Sequence, residues 1–165
     1  MIVVVMGVTG CGKTTVGGAL GEHLGWPFLD ADDFHPDENV AKMASGTALT
    51  DDDRWPWLDR VADVLAAIEA KGEDAVLACS ALKAAYRERI ARAGNVRFVH
   101  LAGDQATIAA RLALRKHKYM PASLLASQFA ALEPPVDAIV VSVEDAIPAQ
   151  VAKIRAALHL PAKNA

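Results

Sequence analysis

Cysteine is scarce in this chain. Cys11 and Cys79 are the only two in 165 residues, far apart and without a CxxC spacing, which excludes a disulfide framework and gives no thiolate zinc site. Both are expected as reduced thiols. No charge of one sign dominates: 17 Lys and Arg face 20 Asp and Glu, a net charge of −3. The overall charge therefore offers no footing for nucleic acid or an anionic membrane. Long apolar runs are missing as well. The first, Ile2–Met6, is far too short for a signal peptide or a membrane span and leads straight into a glycine-rich loop, so a cytoplasmic protein is expected. Internal repeats, low-complexity tracts and linkers are also absent, which predicts one domain over residues 1–165. What remains is 53% hydrophobic and 22% charged, the composition of a folded globule that needs no metal or disulfide staple.

Short apolar runs alternate with amphipathic stretches. Ile2–Met6, Ala75–Ala78, Val96–Leu101 and Ala138–Val143 are rich in Val, Ile and Leu without polar alternation, as strands covered on both faces are. Pro27–Leu29, ending at Asp30, is a shorter candidate. Between them, Val16, Leu20 and Leu24 recur at helical spacing, closed by Gly25. Leu58, Val61, Leu65 and Ile68 form a second stripe ended by Gly72, Ile108 pairs with Leu112, and Ile147, Val151, Ile154 and Leu158 form the last. Thr50 to Asp53 suits a helix N-terminus. The alternation predicts a three-layer α/β fold with right-handed crossovers.

The pattern G-x-x-x-x-G-K-[ST] occurs as Gly7-Val8-Thr9-Gly10-Cys11-Gly12-Lys13-Thr14, after a strand and before a helix. Glycines permit the φ angles that turn successive backbone N–H groups inward, and the helix N-terminus adds donors and a favourable dipole. Lys13 is expected to reach the β- and γ-phosphates of ATP, Thr14 to ligate Mg²⁺, and Thr15 to add a phosphate contact. Cys11 is expected as a spacer. A chance match is about one per cent in a chain this long at ordinary residue frequencies.

Two protein classes share such a loop. A guanine-reading Asn-Lys-x-Asp motif is absent, and the strand ending Ala78-Cys79-Ser80 brings no carboxylate to order a hydrolytic water, so a small-molecule kinase is favoured over a switch or motor. Asp30-Ala31-Asp32-Asp33-Phe34-His35 follows the second strand, where ligands of open parallel sheets bind. Asp32 is the candidate to orient an acceptor hydroxyl or take its proton. Arg54, among three aspartates and two tryptophans, suits a bidentate anion contact, with Lys42 and His35 as possible helpers. Lys83 and Arg87 share a helical face. So do Arg111 and Arg115, which suit a lid closing on the transferred phosphoryl group.

These residues together resemble the gluconokinases of the small phosphate-loop type, more distantly related to shikimate kinases. The resemblance runs through residues 7–14 and 30–36, Asn39, residues 42–46 and 49–54, then 56–58. It continues through residues 79–83, Tyr86-Arg87, Arg111-Leu112 and Arg115, and ends with Leu124-Leu125, Ser127-Gln128-Phe129, Leu132-Glu133 and Pro135. It implies transfer of the ATP γ-phosphate to the terminal hydroxyl of D-gluconate, a five-stranded parallel sheet with helices on both faces, a lid over about 111–131, Mg²⁺ and a homodimer. By position, Asp32 meets the substrate hydroxyl. Arg54, Lys42, His35, Ser80, Lys83 and Gln128 contact the sugar acid, and Arg111 and Arg115 face ATP. In one place the chain departs from the family: Lys116-His117-Lys118-Tyr119 stands where Lys-Gly-His-Phe is usual, so no role of the family's histidine carries over. The residues alone leave open another small hydroxy acid, such as shikimate, and a nucleotide-dependent switch.

Overall fold

The computed structural model describes residues 1–114 and 122–160. Strand β1 (Ile2–Met6) leads into helix α1 (Lys13–Leu24), then β2 (Phe28–Asp30), a 3₁₀ turn (Ala31–Phe34), α2 (Asp37–Ala44) and α3 (Asp51–Ala70). After these come β3 (Ala75–Ala78), α4 (Ala84–Ala91), β4 (Val96–Ala102), α5 (Gln105–Ala113), α6 (Ala122–Ala131), β5 (Ile139–Ser142) and α7 (Ile147–Ala157). All strand pairings are parallel, in the order β2-β3-β1-β4-β5, with Val4 opposite Leu77 on one side and Phe98 on the other.

β1 is buried along its whole length, and its alternating side chains divide the core in two. Val3 and Val5 point with Val16, Leu20, Ile108, Val151 and Ile154 into the layer built by α1, α5 and α7. Ile2, Val4 and Met6 point with Leu58, Val61, Leu65, Tyr86 and Ile90 into the layer of α3 and α4. A strand that must satisfy two cores has no position for a polar residue, which is why Ile2–Met6 reads as an unbroken apolar run. Each fully buried Leu, Ile or Val contributes about 1.5–3 kcal/mol before chain entropy is counted.

Helix ends follow their signals. Gly25 caps α1 in the left-handed conformation at φ 71°, and Thr50 and Asp53 form a reciprocal capping box at the start of α3. Helix α2 and the 3₁₀ turn lie outside the sequence expectations; each is too short to show a periodic stripe. No helix among the described residues is long and apolar enough to cross a membrane.

The order of the strands puts neighbours on both sides of β1, so the chain leaves β1 at the point where connections diverge to left and right. A crevice opens there beyond the strands' carboxyl ends.

Candidate active site

The crevice is floored by the loop from Gly7 to Thr14. Gly10 and Gly12 have φ of 86° and 103°, values that L side chains rarely adopt. A Cβ on Gly10 would also lie 2.7 Å from Leu112 Cγ, against the end of α5. Gly7 N–H donates to the Ser80 carbonyl at 3.3 Å, tying the loop to the end of β3. No side chain caps α1 and its first turn holds no acid, so its first amides are left for an external anion. Lys13 Nζ donates to the Val8 carbonyl at 3.1 Å, arching over the loop. Cys11 is buried beneath the loop, the position of a spacer and not of an exposed nucleophile.

The acidic turn stands beside this loop. Thr14 Oγ1 donates to Asp30 Oδ2 at 3.1 Å, and Asp30 Oδ1 accepts the Asp32 N–H at 3.1 Å. Asp30 thus joins the hydroxyl of the phosphate loop to the turn carrying Asp32, a role that sequence reasoning missed because it treated Asp30 as the strand's last residue. Thr14 and Asp30 offer hard oxygen donors of the kind Mg²⁺ takes. The Asp32 side chain is 82% exposed, open to an incoming hydroxyl. Cys79, at the tip of β3, feels Lys13, Asp30 and Asp32 together, and burial pushes its thiol up to about 12.

Behind Asp32 the turn is anchored in the core. Trp57 Nε1 donates to the Ala31 carbonyl at 2.7 Å, and the His35 ring stacks on Trp57 at 4.1 Å and 18°. His35 was expected among the sugar-acid contacts; the structure buries its ring behind Asp32, with Nε2 3.8 Å from Asp32 Oδ1. Burial, foremost, lowers the pKa of His35, against the opposing pull of Asp32.

The cationic residues expected to bind the acid are gathered at the α3 N-terminus, but two of them are already paired. Lys42 Nζ donates to both Asp53 oxygens at 2.9 and 2.7 Å, and this bond, with the Thr50 N–H, holds Asp53 down to about 2. Lys83 Nζ donates to both Asp51 oxygens at 2.9 Å. Asp51 also accepts from the Tyr86 hydroxyl, and these donors, the hydroxyl first, lower its pKa. Arg54, half-buried, lies 5.7 Å from the Tyr86 ring centroid and makes no ion pair among the described residues. Ser80 lies in the β3–α4 loop, its carbonyl bound to the phosphate loop. There Ala81 adopts φ 44°, held by Arg87, which donates to the Ala81 and Leu82 carbonyls at 3.0 Å.

On the other side of the phosphate loop lies a cleft of about 510 Å³, walled by Gly12, Thr15, Arg111, Asp145, Ile147 and Gln150 among others. That volume suits a nucleoside. Arg111, expected to face ATP, lines this cleft and donates to the Val143 carbonyl, while the β5–α7 loop itself escaped sequence reasoning because it carries no motif. Gln128, expected on the sugar acid, instead clasps the phosphate loop from α6. Its Oε1 accepts the Thr9 N–H at 2.7 Å and its Nε2 donates to Thr9 Oγ1 at 3.0 Å. The remaining lid expectation, Arg115 with Lys116–Tyr119, lies outside the described residues.

Comparison with known proteins agrees with this geometry. A family model described as shikimate kinase matches residues 9–133. The chain is 43% identical to a probable gluconokinase of Mus musculus, covering 95% of this chain and 97% of that protein. It is 49% identical to a gluconokinase of Gluconobacter oxydans, over 81% and 76%. The crystal structure of a gluconokinase from Sinorhizobium meliloti superposes with a TM-score of 0.87 at 41% identity, covering 95% and 90% of the two chains. With a phosphate loop, an acidic turn beside it and this extent of likeness, the chain belongs to the gluconokinase family of phosphate-loop kinases.

Proposed function

We propose that the protein transfers the γ-phosphoryl group of ATP to the terminal hydroxyl of D-gluconate, giving 6-phosphogluconate and ADP, and that it works with Mg²⁺ as a cytoplasmic homodimer of single-domain chains. The reading rests on one observation above others. An exposed carboxylate (Asp32) and an arginine with no carboxylate partner among the described residues (Arg54) share one end of the sheet with the phosphate loop, in a chain at least 40% identical to several gluconokinases.

In this reading each part of the site has its own task. Main-chain N–H groups of residues 10–15 and Lys13 would bind the phosphates, with the base and ribose in the cleft beside Arg111. Thr14 and Asp30 would hold Mg²⁺, which neutralises phosphate charge when bound. Asp32 would orient the acceptor hydroxyl and take its proton as the oxygen attacks. Arg54 would fix the carboxylate of the acid, with Ser80, Lys42 and Lys83 beside the polyol. Rate enhancement would come from positioning and fixed charge.

The test is ADP release by the purified chain with ATP and Mg²⁺ across gluconate, shikimate and related hydroxy acids. Strong stimulation by gluconate is expected. Stimulation by shikimate alone would move the assignment to the neighbouring substrate class, and slow hydrolysis indifferent to every acid would favour a nucleotide-dependent switch.

A further inference from the structure

We propose that Asn39 and His35 are positioning residues for Asp32: Asn39 fixes the imidazole as the tautomer protonated on Nε2, and that N–H orients the Asp32 carboxylate toward the acceptor. The inference deepens the proposed function, since it rests on Asp32 meeting the acceptor hydroxyl.

The tautomer follows from hydrogen-bond accounting. Asn39 is 4% exposed, and its Nδ2 lies 2.9 Å from the Asp53 backbone carbonyl. A carbonyl only accepts, so the nitrogen of the amide must face it. The same nitrogen lies 3.3 Å from His35 Nδ1. An amide nitrogen only donates, so Nδ1 must be the bare, accepting atom. The proton of the neutral ring is then on Nε2, the atom nearest Asp32 at 3.8 Å. The ring cannot turn away, because its face lies on Trp57 and its side chain is 3% exposed. Of the two charges acting on the ring, Asp32 favours the imidazolium, while Arg54, like burial, disfavours it.

The 3.8 Å gap is just beyond hydrogen-bond length, and Asp32 is the freely exposed partner. A shift of about 0.6–1 Å of its carboxylate oxygen closes the N–H···O contact. One oxygen is then committed to His35 and the other is aimed outward. A neutral donor does this without placing a second cation beside the transferred phosphoryl group. It also explains why a histidine in a substrate cleft is buried: its task is to face the carboxylate and not the sugar.

Two measurements decide the proposal. Long-range ¹H–¹⁵N NMR on the parent chain should find His35 neutral at pH about 7, with the proton on Nε2; the Nδ1–H tautomer or an imidazolium would overturn it. In parallel, His35→Gln, whose amide can supply an N–H near the same place, is compared with His35→Phe, which keeps the stack on Trp57 but has no donor. Phe should lower kcat about 10- to 100-fold, as misplacement of a reacting group does, with KM for ATP unchanged, and Gln should recover much of that loss. A purely structural role reverses the order, because Phe packs better on Trp57; equal or better turnover by Phe refutes the proposal. If the parent itself fails to phosphorylate gluconate, the substrate assignment falls, while the tautomer measurement still judges the pair.

Discussion

Replacing Gly10 by alanine separates two costs that the phosphate loop imposes on its sequence. The first is conformational: at φ 86° an L side chain is held in the left-handed region, at a cost of about 1–2 kcal/mol. The second is packing. The new Cβ would sit 2.7 Å from Leu112 Cγ and 2.8 Å from its Cδ2. Leu112 is itself 8% exposed and belongs to the core under α5, so it cannot simply swing into solvent. Overpacking of that kind costs about 1–3 kcal/mol. Together the variant should lose about 2–5 kcal/mol, a fall in Tm of roughly 4–20 °C for a domain of this size. Leu112→Ala creates room beside Gly10, so the double variant should recover the packing part and leave the conformational part. A thermal-unfolding cycle over the four proteins therefore expects a coupling of about 1–3 kcal/mol, and titration calorimetry with ATP should show weaker binding in both Gly10→Ala proteins. A Tm within a degree of the parent, or strictly additive losses, would refute the close approach of loop and helix.

Lys13→Met should leave the fold intact, since among the described residues Nζ bonds only the Val8 carbonyl, yet remove turnover in the ADP-release assay. Arg54→Ala should raise KM for gluconate at least about tenfold with KM for ATP nearly unchanged, as loss of a carboxylate contact predicts; an unchanged gluconate KM removes that role. Asp30→Asn, losing charge beside Thr14, should raise the Mg²⁺ concentration needed for half-maximal rate. The Asp53 pKa is depressed from 3.8 to about 2, so its contribution to stability is complete above 3.8 and lost as pH falls through about 2. Urea unfolding across that window should show a shallower decline for Asp53→Asn than for the parent.

The fold was legible because a doubly covered parallel sheet leaves little freedom in its strands. Ile2–Met6 and Ala75–Ala78 stand where the apolar runs place them, and Val96–Leu101 extends only to Ala102. β2 begins at Phe28 and includes Asp30, one residue later than the run suggests, because an edge strand of three residues is set by its pairing with β3 and not by periodicity. The phosphate loop was legible because its glycines and lysine have no substitute chemistry. The functions of Asp30, Asn39 and Trp57 were not. Asp30 and Trp57 act through partners distant in sequence, such as the Ala31 carbonyl on Trp57 Nε1, and spacing along a chain carries no such pairing; Asn39 is only four residues from His35, but its orientation is set by the Asp53 carbonyl. Gln128 was found as a residue but not in its setting, because its partner Thr9 is 119 positions away.

The charges around Arg54 bear on how such a site can prefer one acid. Asp51 cancels Lys83 and Asp53 cancels Lys42, each across two hydrogen bonds, so the four together present no net charge. Arg54 is set among them without a carboxylate of its own and lies near the Tyr86 ring, whose face favours a cation. A singly charged carboxylate therefore meets one unspent guanidinium, while the paired lysines still have N–H groups and the aspartates lone pairs for neutral hydroxyls. A second negative group on the ligand would find Lys42 and Lys83 already paired and would face Asp51 and Asp53 instead. Specificity against doubly charged acids would then arise from repulsion as much as from fit. Breaking one pair tests this directly: Asp51→Asn frees Lys83, and the variant should gain affinity for dicarboxylic sugar acids relative to gluconate in competition assays. If the ratio of the two inhibition constants does not move, the paired charges are structural and Arg54 alone sets the preference.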